Sequence, residues 1–271
     1  MQAGHATTSV SGSRPPRAGL HSPEPARHRA LDVLAGARLF GSLHELVPAG
    51  AADAPTAFGV ALDAARLCAG LKPRAGLVLV MEEFAGFEAG LPYGPGLAAS
   101  GLDPARLILV RTRNPRETLL AAEPALRSPA VGAVVVGSAA PPRIYDLTAS
   151  RRLLLAAQAG GTAALVLPLA FAGQGSAMSS AATVRVEIAR RRGRALPFGL
   201  GLPLPGRPAF AFRVLKAPGG FAARDRGLWA EDVVGDVAEK GSEDLFAGFP
   251  PRPASRPVLL HGFEPPRARA S

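Results

Sequence analysis

The residues between the first predicted strand and the first predicted helix lie where a nucleotide phosphate could bind. The phosphate-loop pattern G-x-x-x-x-G-K-S/T needs glycines for a tight cradle of backbone amides and a lysine for the β- and γ-phosphates. Starting from Gly50, the second glycine position is Pro55, the lysine position is Thr56 and the hydroxyl position is Ala57. No lysine precedes Lys72, so a shifted register does not restore the motif. The sequence therefore predicts a degenerate nucleotide loop, no catalytic residues and no enzyme, although a helix N-terminus could still hold a phosphate weakly.

Two acids follow the next predicted strand. Glu82 and Glu83 come directly after the run 77–81, where a general base for water could lie. The run 131–136 is followed by Gly137 and Ser138 and thus lacks the metal-coordinating acid that this chemistry would need. We therefore expect both carboxylates to be solvated at a strand end.

The cysteine and histidine content argues against metal chemistry. The chain has one cysteine and five histidines, and the histidines are never paired at ligand spacing. Cys68 lies on the apolar face of a predicted helix and His44 inside an apolar strand, so both are predicted to be packing residues. No metal ion and no cofactor are expected.

The basic character of the chain is concentrated in one region. The net charge is +10, and residues 183–226 alone hold ten basic and two acidic residues, or +8. Arg190, Arg191, Arg192 and Arg194 form its densest part. Such a segment is typical of a face that binds DNA phosphates. A solvated arginine face explains the composition equally well, and the sequence leaves both interpretations open.

Acidic and apolar residues are combined near the C-terminus. Glu243 and Asp244 precede Leu245 and Phe246, and Phe249 follows shortly after. This composition suits docking in the groove of a partner protein, with Leu245, Phe246 and Phe249 as the candidate anchors. The same residues could instead pack against their own domain.

Alternating strand and helix patterns define the fold class. Short apolar runs bounded by Gly or Pro predict strands buried on both faces, and helical periodicity with capping residues lies between them. Two segments with period-two alternation predict half-exposed, antiparallel strands that extend the sheet. The result is an α/β fold with a mainly parallel sheet flanked by helices and antiparallel strands near the C-terminal end. The predicted buried strands are 43–47, 77–81, 107–111, 131–137 and 163–167; the helices are 55–69, 115–127 and 147–159; the alternating strands are 183–188 and 209–214, joined through a Gly/Pro-rich connection at 199–208, with a last strand at 228–234.

Composition also predicts the domain boundaries. Residues 1–30 and 241–271 are rich in Gly, Pro, Ser and Arg and are predicted to be flexible tails around one domain at 31–240. No apolar run approaches the roughly 18 residues that span a bilayer, and Arg and Pro crowd the N-terminus, so a cytoplasmic protein with no membrane association is expected.

Several blocks resemble the RecA recombinase core and, more closely, the ImuA family. The strand 77–81 ending in Met-Glu-Glu and the segment 182–188 resemble the recombinase core. The order of the other blocks is similar to the ImuA family across roughly residues 38–235. Those blocks are 43–45 (LHE), 93–107 (YGPGLAASGLDPARL), 146–153 (DLTASRRL), 159–162 (AGGT) and 208–232.

This resemblance implies a RecA-like accessory protein of SOS mutagenesis and translesion synthesis. Its implied partners are an ImuB-like pseudo-polymerase, RecA and, indirectly, an error-prone DnaE-type polymerase, with DNA as a further candidate. The glutamate of recombinases carries over only to Glu83, as a vestigial acid. The segment 171–182 corresponds to the recombinase DNA-binding loop and is expected to be a flexible Gly/Ser loop. A weak DNA-dependent ATPase and a SulA-like cell-division inhibitor are the alternatives.

Overall fold

The structure of the 271-residue chain is a computed structural model. The structure describes residues 38–83, 90–192, 196–197, 203–204, 209–218 and 230–233. The predicted tails at 1–30 and 241–271 lie outside these residues, and the predicted domain boundaries therefore remain predictions.

A single eight-stranded sheet forms the centre of the domain, in the order β10-β9-β6-β1-β5-β4-β2-β3. The strands from β6 to β3 pair in parallel, whereas β9 is antiparallel to both β6 and β10. The predicted α/β class is confirmed. The strands are β1 Ser42–Pro48, β2 Gly76–Glu82, β3 Leu107–Thr112, β4 Val131–Ser138, β5 Ala163–Pro168, β6 Val184–Arg191, β9 Ala209–Lys216 and β10 Ala230–Val233, and a two-stranded ladder joins β7 Leu196–Pro197 to β8 Pro203–Leu204.

Four α-helices accompany the sheet in the described residues: α1 Ala54–Leu71, α2 Gly94–Ala99, α3 Pro115–Arg127 and α4 Leu147–Gly160. Asn114 caps α3 by accepting a hydrogen bond from the backbone N–H of Glu117 (3.1 Å), and Asp146 caps α4 through the N–H of Ala149 (2.7 Å). Gly161 ends α4 in the left-handed conformation (φ 60°). The three predicted helices are confirmed, and the short α2 was not predicted. In the described part of the chain, no helix combines the length and the apolar character needed to cross a bilayer.

The two faces of the sheet are covered by different helices. Helix α1 packs with Leu46, Leu79 and Leu165 on one face. Helices α3 and α4 pack with Val80 and Val166 on the other. Since α1 follows β1 while α3 and α4 follow later strands, the chain winds to both sides of the sheet, as the alternating pattern predicts.

Strand β3 departs from its prediction. It lies at the edge of the sheet, and among the described residues it pairs only with β2; Ile108 and Leu109 are 60% and 41% exposed. The apolar run indicated a strand buried on both faces, which is wrong here because strand order, not local composition, decides which strand is the edge.

Strand β6 also differs from its prediction. Residues 184–189 are all buried, and β6 is parallel to β1 on one side and antiparallel to β9 on the other. The prediction of a half-exposed strand is therefore wrong, whereas the predicted antiparallel pairing is confirmed with β9 but not with β1. Its alternating polar residues, Arg185 and Glu187, form ion pairs inside the protein with Glu45 and Arg213. Alternation of polar side chains indicated exposure to solvent, but Arg185 and Glu187 are buried and each faces a partner of opposite charge.

Candidate functional site

The connection between β1 and α1 is short, and two of its backbone amides are already hydrogen-bonded. Strand β1 ends at Pro48, a 3-10 turn covers Ala51–Asp53, and α1 begins at Ala54. The N–H of Ala49 donates to the carbonyl of Ile188 (2.7 Å), and the N–H of Asp53 donates to the carbonyl of Gly50 (2.9 Å). These two amides are thus not available to a phosphate.

The four positions of the degenerate loop have ordinary structural roles. Gly50 is extended (φ −158°), a conformation open to any residue, and not the left-handed one that favours glycine. Pro55 lies in the first turn of α1, where it contributes no N–H group. Thr56 is half-buried, and Ala57 is fully buried on the core-facing side of α1. The local geometry gives these residues helix-starting and packing roles.

Asp53 and Arg190 are in contact at the N-terminus of α1. Asp53 precedes the helix, and its carboxylate accepts a hydrogen bond from the backbone N–H of Arg190 (2.9 Å), while the Arg190 Nε lies 3.9 Å from the same oxygen. The Arg190 guanidinium also donates to the carbonyl of Ala52 (3.3 Å). A carboxylate at a helix N-terminus occupies the place that favours an anion. The structure thus joins the degenerate loop to one of the predicted DNA-binding arginines, a contact that the sequence did not indicate.

The two acids after β2 have different environments. Glu82 is buried at 3% exposure and accepts hydrogen bonds from the Ser138 hydroxyl (2.5 Å) and from the N–H of Ala139 (3.3 Å). The Thr118 hydroxyl of α3 lies 3.4 Å from the same carboxylate. The expectation of a solvated carboxylate is therefore wrong for Glu82, because the residue shares the sheet face covered by α3. It is correct for Glu83, which is 53% exposed and lies 3.5 Å from the Arg111 guanidinium.

A buried ionic cluster joins β1, β6 and the turn before α4. The Glu45 carboxylate accepts from the Arg185 Nε (2.7 Å) and from the Tyr145 hydroxyl (2.7 Å). Glu45 is fully buried, and Arg185 is 5% exposed. Burial, followed by the nearby Glu45 charge, raises the pKa of Tyr145 well above its ordinary value. Sequence analysis missed this cluster, and its available signal was an acid within the first apolar strand and an arginine within β6.

The same arginine fastens the segment 169–183. Arg185 Nη1 donates to the carbonyls of Gly175 (2.9 Å) and Met178 (2.8 Å), and Nη2 donates to the Ser180 hydroxyl (2.7 Å). Phe171 and Met178 are both 7% exposed. The expectation that 171–182 is a flexible Gly/Ser loop is therefore wrong, because two of its backbone carbonyls accept hydrogen bonds from the buried Arg185 guanidinium. We call residues 169–183 the anchored segment.

His44 and Cys68 are packing residues, as predicted. Both side chains are fully buried. Burial lowers the pKa of His44 to about 4, with a smaller opposing contribution from its hydrogen bond to the Leu39 carbonyl. Its Nε2 lies 3.3 Å from that carbonyl, and Nδ1 has no hydrogen-bond partner among the described residues. Burial raises the pKa of Cys68 to about 12, so its thiol is not a nucleophile at neutral pH.

The remaining predicted site residues divide into two groups. Arg190, Arg191 and Arg192 are exposed at the end of β6, so the structure brings them to one edge of the sheet. Arg194, Leu245, Phe246 and Phe249 lie outside the described residues, and their roles stay predictions.

Together these features define an α/β protein with a mainly parallel sheet whose first strand-to-helix turn lacks the phosphate-loop residues. No family model matches the chain. It is 37% identical over 161 residues to Protein ImuA from two strains of Caulobacter vibrioides, NA1000 / CB15N and CB 15, which covers 58% of this chain and 60% of each relative. This similarity agrees with the resemblance to the ImuA family that the sequence blocks show. The match spans about 60% of the length of these curated relatives.

Proposed function

We propose that this protein is a non-catalytic accessory factor of damage-induced mutagenesis and translesion synthesis. It acts as an adaptor with an ImuB-like pseudo-polymerase and/or RecA, and through them with an error-prone DnaE-type polymerase. The observation that carries the proposal is its similarity to Protein ImuA over 161 residues. The name of that relative gives the biological setting, and the geometry of the chain favours a binding role within it.

The β1–α1 connection supports a role without ATP hydrolysis. A hydrolytic phosphate site needs a cationic grip and free amides around the β- and γ-phosphates. Here Thr56 stands at the lysine position, Pro55 has no N–H, and the Asp53 carboxylate adds a negative charge at the start of α1. These features favour an adaptor over a RecA-type ATPase.

The acids after β2 support the same interpretation. Glu82 is bonded to Ser138 on the face of the sheet that α3 covers, whereas α1 and its preceding turn belong to the opposite face. The exposed Glu83 pairs loosely with Arg111. Neither carboxylate is held toward the β1–α1 connection by the contacts described, which weakens the case for a general base at that connection.

The proposal is tested by capture of purified ImuB-like protein and of RecA on the immobilised full chain, with and without ATP. We expect capture of at least one partner that is unchanged by ATP. Capture that requires ATP, accompanied by phosphate release, would overturn the non-catalytic role in favour of the ATPase. Capture of neither partner would overturn the adaptor.

A variant series in the same assay tests the C-terminal anchors. One variant removes the predicted anchors through Leu245→Ser, Phe246→Ser and Phe249→Ser. The control variant also replaces three Leu and Phe residues, through Leu259→Ser, Leu260→Ser and Phe263→Ser. We expect the first variant to lose capture and the second to keep it. Equal capture by both would remove the C-terminal anchors from the proposal.

A cellular experiment separates the remaining alternative. Loss of this gene should lower the frequency of damage-induced mutations, and overexpression should leave division unchanged. Filamentous cells on overexpression, with normal mutagenesis in the deletion strain, would favour the cell-division inhibitor instead.

A further inference from the structure

A groove of about 300 Å³ opens between α3, the turn before α4, and α4 itself. Its floor is aliphatic and consists of Leu119, Leu120, Ile144 and Leu153. Leu153 is buried, whereas Leu120 is 61% exposed, so the floor rises from the core into solvent. The volume lies at the lower end of the range of about 300–1,000 Å³ that is usual for ligand sites.

Arginines surround this apolar floor. Arg116, Arg143 and Arg152 line the groove, and all three are exposed. Arg152 donates to the carboxylate of Glu123 (2.6 Å), which Arg127 also binds (2.9 Å). Within the described part of the chain, Arg116 and Arg143 have neither an ion-pair nor a hydrogen-bond partner.

The single acid of the groove does not neutralise this rim. The hydrogen bond from Arg127, followed by the contacts with Arg152, lowers the pKa of Glu123, so its carboxylate stays ionised and paired. Two rim arginines therefore keep their full charge beside exposed aliphatic surface. A ligand that satisfies both features carries carboxylates and large apolar side chains on the same short segment.

Nucleic acid fits the groove less well. The groove lining includes no aromatic side chain on which a base could stack. An exposed leucine such as Leu120 adds nothing to phosphate binding, whereas a peptide can bury it.

We propose that the α3–α4 groove docks an acidic segment of a partner protein, with large apolar side chains on the aliphatic floor and carboxylates at Arg116 and Arg143. The groove lies on the sheet face opposite α1, and the inference does not depend on which protein of the mutagenesis system is the partner. Its failure would leave the adaptor proposal intact, since a partner could bind another surface.

The test is selection of a phage-displayed random peptide library on the immobilised full chain. It is run in parallel on the groove variant Arg116→Glu, Arg143→Glu and Leu120→Ser and on the control variant Arg74→Glu and Leu71→Ser, whose residues are exposed near the end of α1. We expect the natural chain and the control to select peptides that combine Asp or Glu with Leu, Ile or Phe. The groove variant should select none of these peptides. Identical selections on all three proteins, or basic peptides on the natural chain, would overturn the proposal.

Affinity measurements then exclude the other occupants. The best selected peptide, labelled with fluorescein, should bind the groove variant at least tenfold more weakly than the control in fluorescence anisotropy. A tenfold loss of affinity for a single-stranded oligonucleotide in the groove variant would assign the surface to nucleic acid and overturn the proposal. Dissociation of a dimer by the same variant, measured by light scattering, would assign it to a second copy and overturn it as well. A thermal melt of each variant confirms folding, and Leu120→Ser alone replaces the triple change if that protein does not fold.

Discussion

At the scale of single residues, one buried group without full pairing, His44, contributes to the pH dependence of the protein's stability. His44 is fully buried between the sheet and its helices, and one of its ring nitrogens has no partner among the described residues. Because burial disfavours the charged imidazolium, its pKa falls from 6.5 to about 4 on folding. The unfolded chain therefore binds a proton at His44 in a pH range where the folded chain does not.

This difference predicts acid sensitivity below neutral pH. The contribution of neutral His44 to stability is complete above the unfolded pKa of 6.5 and is lost as the pH falls toward about 4. Between about pH 7.5 and about pH 5, the loss amounts to about 2 kcal/mol. Urea unfolding at both pH values measures this effect. The unfolding free energy of the natural chain should fall between the two pH values, and in His44→Leu the fall should be smaller by about 2 kcal/mol. An equal fall in both proteins would contradict the burial effect.

The Glu45–Arg185 pair predicts a strong effect of a single substitution. Arg185→Met leaves the Glu45 carboxylate buried without its cation, which costs about 3–5 kcal/mol. Adding Glu45→Gln removes the buried charge and should restore at least about 2 kcal/mol. Urea unfolding of both variants measures these changes, and hydrogen exchange of the anchored segment should rise in Arg185→Met. If Glu45→Gln restored no stability, the pair would not be the source of the loss.

At the scale of elements, close contact between α3 and α4 limits the side chains at their ends. Gly160 ends α4 against the last turn of α3, where an added Cβ would overlap the carbonyl oxygen of Leu126 and lie 2.8 Å from the carbonyl carbon of Arg127. These atoms belong to the backbone, so they can move only if the two helices separate. The contact also sets the spacing of the helices that form the groove.

Gly160→Ala should therefore destabilise the fold by about 1–3 kcal/mol through overpacking. The control is Gly70→Ala within α1, where no atom lies within 4 Å of an added Cβ. That change should be neutral or should stabilise by up to about 1 kcal/mol through reduced chain entropy. Thermal unfolding of the two variants compares them directly. Equal melting temperatures would show that the end of α4 accommodates a methyl group.

At the scale of the whole molecule, the basic region is divided between structural and exposed arginines. Arg185 and Arg213 pair with buried glutamates, and Arg190 contacts Asp53 at the start of α1. Part of the +8 charge of residues 183–226 therefore serves the fold. Among the described residues of this region, the exposed guanidinium groups at the end of β6 are ones that a DNA phosphate could reach.

This division predicts the salt dependence of DNA binding. If Arg190, Arg191 and Arg192 contact phosphates, their change to Gln should reduce the slope of log affinity against log salt by about two to three, because each lost duplex contact contributes about 0.9. The control variant Arg74→Gln, Arg113→Gln and Arg151→Gln removes three other exposed arginines. Anisotropy with a labelled duplex over a range of salt measures both slopes. If both variants had the same slope, Arg190, Arg191 and Arg192 would not be specific phosphate contacts, and their charge would serve solubility instead.

Much of the architecture follows from local pattern. Asn114 and Glu117 place the start of α3, and the Gly160-Gly161 pair ends α4, because capping needs only neighbouring residues. The missing phosphate-loop residues are likewise a property of consecutive positions. Strand β3 shows the limit of this reasoning, since an apolar run does not reveal that its strand lies at the edge of the sheet.

The sequence by itself thus determined the α/β class, the three main helices and the absence of the phosphate-loop residues at the first turn. Only the tertiary structure decided that Glu45 pairs with Arg185, 140 positions later, and that Asp53 meets Arg190, 137 positions later. The tertiary structure likewise placed Glu82 beneath α3 and brought Arg185 into hydrogen bonds with the anchored segment. The physical reason is that a charged side chain is stabilised in the fold when hydrogen-bond donors or an opposite charge lie beside it, and strand order brings such partners together from distant parts of the chain.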